Sequence, residues 1–219
     1  MTAVDLLALA RGPLFQIALV IFAAGVTLRI VEILVIGRRP DYSEARQGAV
    51  LSGLSTMFTR SIPREGMFRR NPFVIVSGYI FHIGIFVVVF LSAAHIEVWR
   101  AITGFAWPSL PTPLVDFLTV ASIAAMLVVL VNRLRDPMLR FLSTFQDYLV
   151  WVATFLAFVT GYLAFHHMLL RYELMLAVHI IAVEVLLVLF PFTKLMHTFT
   201  LFIARYYTGS TFGRKGVES

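Results

Sequence analysis

Apolar and polar positions in this 219-residue chain separate into long blocks instead of alternating. Five blocks are almost purely apolar: about 14–36, 72–99, 114–131, 145–165 and 174–206. Each reaches or approaches the ~20 residues a helix needs to cross a hydrocarbon core of about 30 Å. The pattern predicts an all-α membrane protein, a five-transmembrane-helix bundle over residues 1–209 with a tail over 210–219. The second and fifth blocks are longer than a crossing requires, which allows tilt or extension beyond the bilayer. Asn71-Pro72 reads as a helix start, a cap followed by proline in the first turn. The stretch WPSLPTP, residues 107–113, is turn chemistry that lipid does not tolerate as helix. Arg11 precedes a full-length apolar block, so the first segment is expected to be a retained helix, not a cleaved signal. Between the first two blocks lies the sizeable polar connection, 37–71, where a short amphipathic surface helix is expected.

Charge then orients the bundle. Only 14% of residues are charged, against roughly 25% in soluble domains. The connection after the first span carries Arg38, Arg39, Arg46, Arg60, Arg64, Arg69 and Arg70, and the one after the third carries Arg133, Arg135 and Arg140. Arg205, Arg214 and Lys215 follow the fifth. The two other loops hold Arg100 and Arg171, balanced by Glu97, Asp116 and Glu173. The positive-inside rule places the N-terminus outside, the C-terminus in the cytoplasm, and the protein in the inner (plasma) membrane as a multi-pass chain. The net charge of +6 is thereby a topogenic signal and a docking face, not a nucleic-acid footprint. No cysteine is present, which excludes disulfides, cysteine-ligated iron–sulfur clusters and thioether-attached haem.

The six histidines, His82, His95, His166, His167, His179 and His197, all lie in or at the edge of expected spans. A single such residue reads equally well as hydrogen-bonded packing. Their depths argue otherwise. His82 lies 11 residues from Asn71 and His197 lies 8 residues before Arg205, about 16 Å and 12 Å from the same side of the bilayer. His95 and His179 lie 24 and 26 residues from those markers, about 36 Å and 39 Å away. Two pairs thus fall at two matched depths, as six-coordinate b-type haem requires: two axial imidazoles and an apolar slot. His82 and His197 are the expected inner-haem iron ligands, His95 and His179 the outer ones. Eighteen residues are five whole turns, so His179 and His197 share a face of an ideal fifth helix, with Pro191 between them. Thirteen residues leave His95 about 140° from His82, so a kink or unwinding is needed there. His166 or His167, at the end of the fourth span, is the alternative outer ligand, and a single-haem protein remains a further alternative.

These residues resemble a known family. The fifth block, LFPFTKLMHTFT with a histidine 18 positions upstream of His197, is similar to the gamma subunit of respiratory nitrate reductase. YIFHIGIFVVVF carries that family's Phe-His-x-Gly-Ile pattern at His82, and NRLRDPMLRFLSTFQDYLV resembles its Arg-x-x-Asp-Pro stretch leading to an acid, here Asp147. The resemblance covers essentially the whole chain. It implies a dihaem cytochrome b that anchors a cytoplasmic iron–sulfur subunit and catalytic subunit and exchanges electrons with membrane quinone, the quinone-reactive part of a respiratory oxidoreductase. It assigns His82 and His197 to the inner haem and His179 to the outer one. The spacing of His82 and His95 is wider than the family pattern, which implies an extra turn or local irregularity. It also points to a divergent member serving a sulfur- or heterodisulfide-type module.

Three further residues enter. Glu184, about 7.5 Å along the fifth helix from His179, reads as a proton carrier for quinol chemistry or as a hydrogen-bonded interior carboxyl. Arg29 and Glu32 are spaced as a local i,i+3 pair, and Arg29 is weighed as a haem-propionate contact. Two other function classes fit the same composition: a proton or metal transporter using the intramembrane His and Glu residues, and a haem-free structural anchor.

Overall fold

A computed structural model of the protein describes residues 2–36, 42, 44–46, 48–63 and 65–217. Arg38, Arg39 and Arg64, with part of the 37–71 connection and the end of the tail, lie outside the described residues. The described chain is all-helical. Five helices are long and apolar enough to cross a membrane: Ala3–Val35, Pro72–Leu91, Thr112–Arg135, Phe145–Phe165 and Tyr172–Phe192. Only 11% to 33% of each apolar stretch is buried inside the chain, which leaves most of its surface for lipid or another apolar covering.

The first span starts earlier than its composition suggests. Thr2 and Asp5 form a reciprocal capping box that opens α1 (Ala3–Leu9). A wide π-type turn over Ala10–Leu14 then absorbs Gly12-Pro13 and delivers the chain into α2 (Phe15–Val35). Proline lacks the amide that a regular turn would use, and the wider turn accommodates that. The polar connection contributes α3 (Ala49–Thr59) and the one-and-a-half-turn α4 (Glu65–Arg70).

Two expected helices are broken, and both breaks matter. The segment read as 72–99 divides at Ser92, which is extended (φ −81°, ψ 141°), into α5 (Pro72–Leu91) and α6 (Ala93–Thr103). The segment read as one helix over 174–206 is two: α10 (Tyr172–Leu189) and α11 (His197–Arg214). Short 3₁₀ turns at Phe190–Phe192 and Lys194–Met196 flank an extended Thr193 between them. The five-turn phase relation between His179 and His197 therefore does not hold, because the helix that would carry it is unwound for seven residues. Pro191 does more than kink it. The remaining long helices are α7 (Thr112–Arg135) and α9 (Phe145–Phe165), joined by α8 (Pro137–Leu142). Asp136 caps α8 by accepting from the amides of Met138 and Leu139 at 2.8 and 3.2 Å.

Packing runs from neighbour to neighbour: α5 on α7, α7 on α9, α9 on α10, and α10 on α2. Small residues set the close approaches. A Cβ at Gly84 would collide with Ser122, which is fully buried, and one at Gly25 would lie 2.6 Å from the Pro191 ring. Phe22 meets Phe190 edge-on at 5.2 Å beside that contact. Beyond the break, α11 packs against α3 through Gly209 and Gly213, where Thr56 and Ser52 fill the space a side chain would take. Arg205 reaches across to the Met57 carbonyl (3.3 Å) and the Ser61 hydroxyl (2.7 Å).

Replacing Gly25 with valine should separate α2 from the Pro191 break and cost about 1–3 kcal/mol, as overpacking does. Thermal unfolding in detergent measures this. Gly66→Ala, which points into open space in α4, should leave stability unchanged or raise it by up to about 1 kcal/mol.

Candidate functional site

The two breaks create a problem that the chain solves with side chains. A helix end leaves up to four carbonyls without amide partners, and lipid offers no water to pair them. At the end of α5 all four are taken. His95 Nδ1 lies 2.7 Å from the Val88 carbonyl, and Trp99 Nε1 donates to that of Val89 at 3.0 Å. Trp107 Nε1 donates to Phe90 at 2.5 Å and the Leu110 amide to Leu91 at 2.9 Å. At the second break Arg29 Nε donates to the Pro191 carbonyl (3.3 Å), Gln146 Nε2 to Phe192 (3.2 Å), and His197 Nδ1 lies 2.7 Å from the Lys194 carbonyl. Lys194 is itself tied to Asp147 at 2.6 Å, and Asp147 caps α9 through Thr144. The breaks are built, not frayed.

The other two histidines of the expected set sit on regular helix. His82 Nδ1 is 2.6 Å from the Gly78 carbonyl one turn back on α5. His179 Nδ1 is 3.3 Å from Thr160 Oγ1 on α9, whose own proton goes to the Leu156 carbonyl at 2.6 Å. A carbonyl only accepts, and Thr160 has already given its proton away. Each Nδ1 is therefore the donor, and all four imidazoles share one tautomer, with the Nε2 lone pair free. Histidines that ligate metals are held this way, by the other ring nitrogen.

Tertiary structure then pairs them. The rings of His82 and His197 lie 6.1 Å apart between centroids, inclined at 80°; those of His95 and His179 lie 6.2 Å apart at 48°. A metal–imidazole bond of about 2.0 Å, with the ring centre roughly 1.1 Å behind the nitrogen, sets two rings on opposite sides of one ion about 6.2 Å apart. Ordinary aromatic packing spans 4.5–7 Å, so the spacing alone does not choose. Packing does not, however, ask for one tautomer at four rings and a pair at each of two levels. Nor does it explain why His82 and His197 are exposed within such an apolar chain. Gly161 completes the second pair: a Cβ there would lie 2.9 Å from His179 Cε1, so glycine lets the ring lie flat against α9.

The break at Ser92 is the unwinding that a shared orientation of His82 and His95 demanded. Ser92 caps α6 and its hydroxyl lies 3.0 Å from His95 Nδ1. His166 and His167 are occupied elsewhere. His166 Nε2 is 3.4 Å from Asp116 and its ring is 4.4 Å from that of Tyr162. His167, at φ 55°, stacks on Tyr172 at 4.6 Å. Among the described residues neither makes a ring contact with His179. Arg29, weighed as a propionate contact, pairs with Glu32 at 2.9 Å and holds the Pro191 carbonyl. It lines a cleft of about 280 Å³ with Met196 and Thr200. Glu184 is buried on α10. The sequence reading missed Ser92, Trp99, Trp107 and Gln146 as parts of the site. The tryptophans were legible only as interfacial aromatics, because their carbonyl partners lie 10 and 17 residues back.

Each pair offers the two imidazoles that a haem iron would take. Among the described residues no three His, Asp or Glu groups gather as a bare-ion site.

Comparison with known proteins adds one relative and no activity. The chain is similar to a protein of Nitratidesulfovibrio vulgaris (strain Hildenborough), 29% identical over 212 residues, covering 93% of this chain and 92% of that one. Its name states no function. No family model matches, and no solved structure does.

Proposed function

We propose that this protein is a membrane cytochrome b subunit that holds two b-type haems and passes electrons between membrane quinone and a soluble redox partner. The observation that carries the reading is the pairing of four same-tautomer imidazoles, two by two, at two levels of one apolar bundle. His82 and His197 would hold one iron, and His95 and His179 the other. Bound there, haem supplies a one-electron Fe(III)/Fe(II) couple, and the polypeptide supplies ligation, position and exclusion of water. Ser92, Thr160, Gly161 and the Gly78, Val88 and Lys194 carbonyls orient the rings.

The positive-inside rule gives the orientation: N-terminus outside, C-terminus and the α3–α11 pair in the cytoplasm of a plasma membrane. His82 and His197 then form the inner pair. The basic face of Arg60, Arg69, Arg70, Arg133, Arg135, Arg140, Arg205 and Lys215 faces the cytoplasm, as a docking surface for the iron–sulfur and catalytic subunits. The resemblance to the nitrate reductase gamma subunit points the same way.

The test is haem content and the reduced-minus-oxidised optical spectrum of the purified protein. A b-type absorption band is expected, and its absence overturns the reading. His82→Ala and His197→Ala should each lose one haem, and His95→Ala and His179→Ala the other, halving the content. His166→Ala and His167→Ala should keep both; loss of one haem there, with both retained in His95→Ala, contradicts the pairing. Gly161→Val should release the haem on His179 and spare that on His82.

A further inference from the structure

Glu184 has no part in the arrangement so far, yet among the described residues it is the one ionisable side chain that is buried, at 6% exposure. Its Oε1 has no hydrogen-bond partner. It lies on α10 five residues from His179 toward the break that presents His197, so it falls between the two histidine levels. Among the described residues no hydrogen bond or ion pair ties that oxygen to a counter-charge. α2 runs parallel to α10, with Phe22 against Phe190, and its ionisable residues, Arg29 and Glu32, pair with each other. Arg11, in the Ala10–Leu14 turn that also packs on α10, is exposed. On α1, Asp5 is bound to Thr2. α9 runs antiparallel and offers none between Tyr148 and Tyr162; beyond them Asp147 is held by Lys194 and Arg133, and His166 by Asp116. On α10 itself the ionisable side chains are Tyr172, Glu173, His179 and Glu184.

An ionised carboxylate in such a place is expensive unless a positive charge comes near. The haem binding proposed above, on which this inference rests, brings one. A bis-imidazole ferric porphyrin core carries a net charge of +1, and the ferrous core carries none.

We infer that Glu184 is a redox-linked proton site: its carboxylate balances the oxidised haem pair and takes up a proton when the pair is reduced. One electron enters the haem pair and one proton from water forms the Glu184 O–H bond; reoxidation releases both. The site thus couples electron passage to proton movement within the bundle, with no co-reactant beyond the electron donor and water.

Electrochemically driven redox-difference infrared spectroscopy on the full-length, haem-loaded protein in detergent tests this. The wild type should gain a protonated-carboxyl stretch on reduction, and Glu184→Gln should lose it while keeping both haems. In a potentiometric titration, the pH dependence of at least one haem midpoint should flatten in Glu184→Gln and persist, displaced, in Glu184→Asp. An unchanged carboxyl signal and pH profile in Glu184→Gln overturns the inference and leaves the haem assignment standing. If Glu184→Gln does not fold, the wild-type spectrum decides: no carboxyl signal on reduction overturns the inference. A haem-free wild type overturns both.

Discussion

The candidate site turns on carbonyls freed where two apolar helices end. Both helix breaks fall at the ends of apolar spans, Pro72–Leu91 and Tyr172–Phe192, and a carbonyl left open against lipid there would cost several kcal/mol. This protein breaks two helices, at Ser92 and at Phe190–Met196, and pairs freed carbonyls at both with side chains, and that of Leu91 with the Leu110 amide. Two of those side chains are histidines. Because the carbonyl accepts a hydrogen bond from Nδ1–H, the opposite nitrogen is left with a lone pair aimed away from the backbone. One bond therefore settles the backbone, the tautomer and which nitrogen keeps its lone pair.

The same logic gives each site its form. Each pair joins a histidine on regular helix to one carried by a break: His82 with His197, and His179 with His95. The regular helix fixes one ring rigidly, and the break frees the second from helical periodicity so that it can face the first. α5 is not among the principal packing partners of α10, since contact runs through α7 and α9. The imidazole pairs bridge α5 to α11 and α6 to α10. A flat apolar group held between them would complete the packing that the low burial of these helices leaves unfinished. Gly25 against Pro191 and Lys194 on Asp147 hold the second break in place, so the site depends on α2 and α9, which carry neither of its histidines.

How much of this was legible in the sequence differs by element. The five apolar stretches were plain, because length and composition alone decide whether a helix can cross a membrane. Depth was read from helical rise as well, but the counts to His95 and His179 cross the breaks, and only those to His82 and His197 run along unbroken helix. Azimuth was not legible. The 140° offset of His95 from His82 signalled a break correctly, but nothing before the fold was known said that Ser92 was its site. The five-turn coincidence of His179 and His197 was misleading. Pro191 removed the helix on which that count depended, and His197 owes its position to the Lys194 carbonyl. Trp99, Trp107 and Gln146 were out of reach because their carbonyls become free only once the breaks exist. Glu184 stood out as a carboxyl in an apolar run, while the emptiness of its surroundings needed α2 and α9 in place.

The central claim is that two irons each sit between two imidazoles. Electron paramagnetic resonance of the oxidised, purified protein, set beside its extracted-haem stoichiometry, addresses this directly. The account requires two protohaems per chain and two low-spin ferric signals of bis-histidine type. A single haem, a dominant high-spin signal from five-coordinate iron, or no haem at all would contradict it.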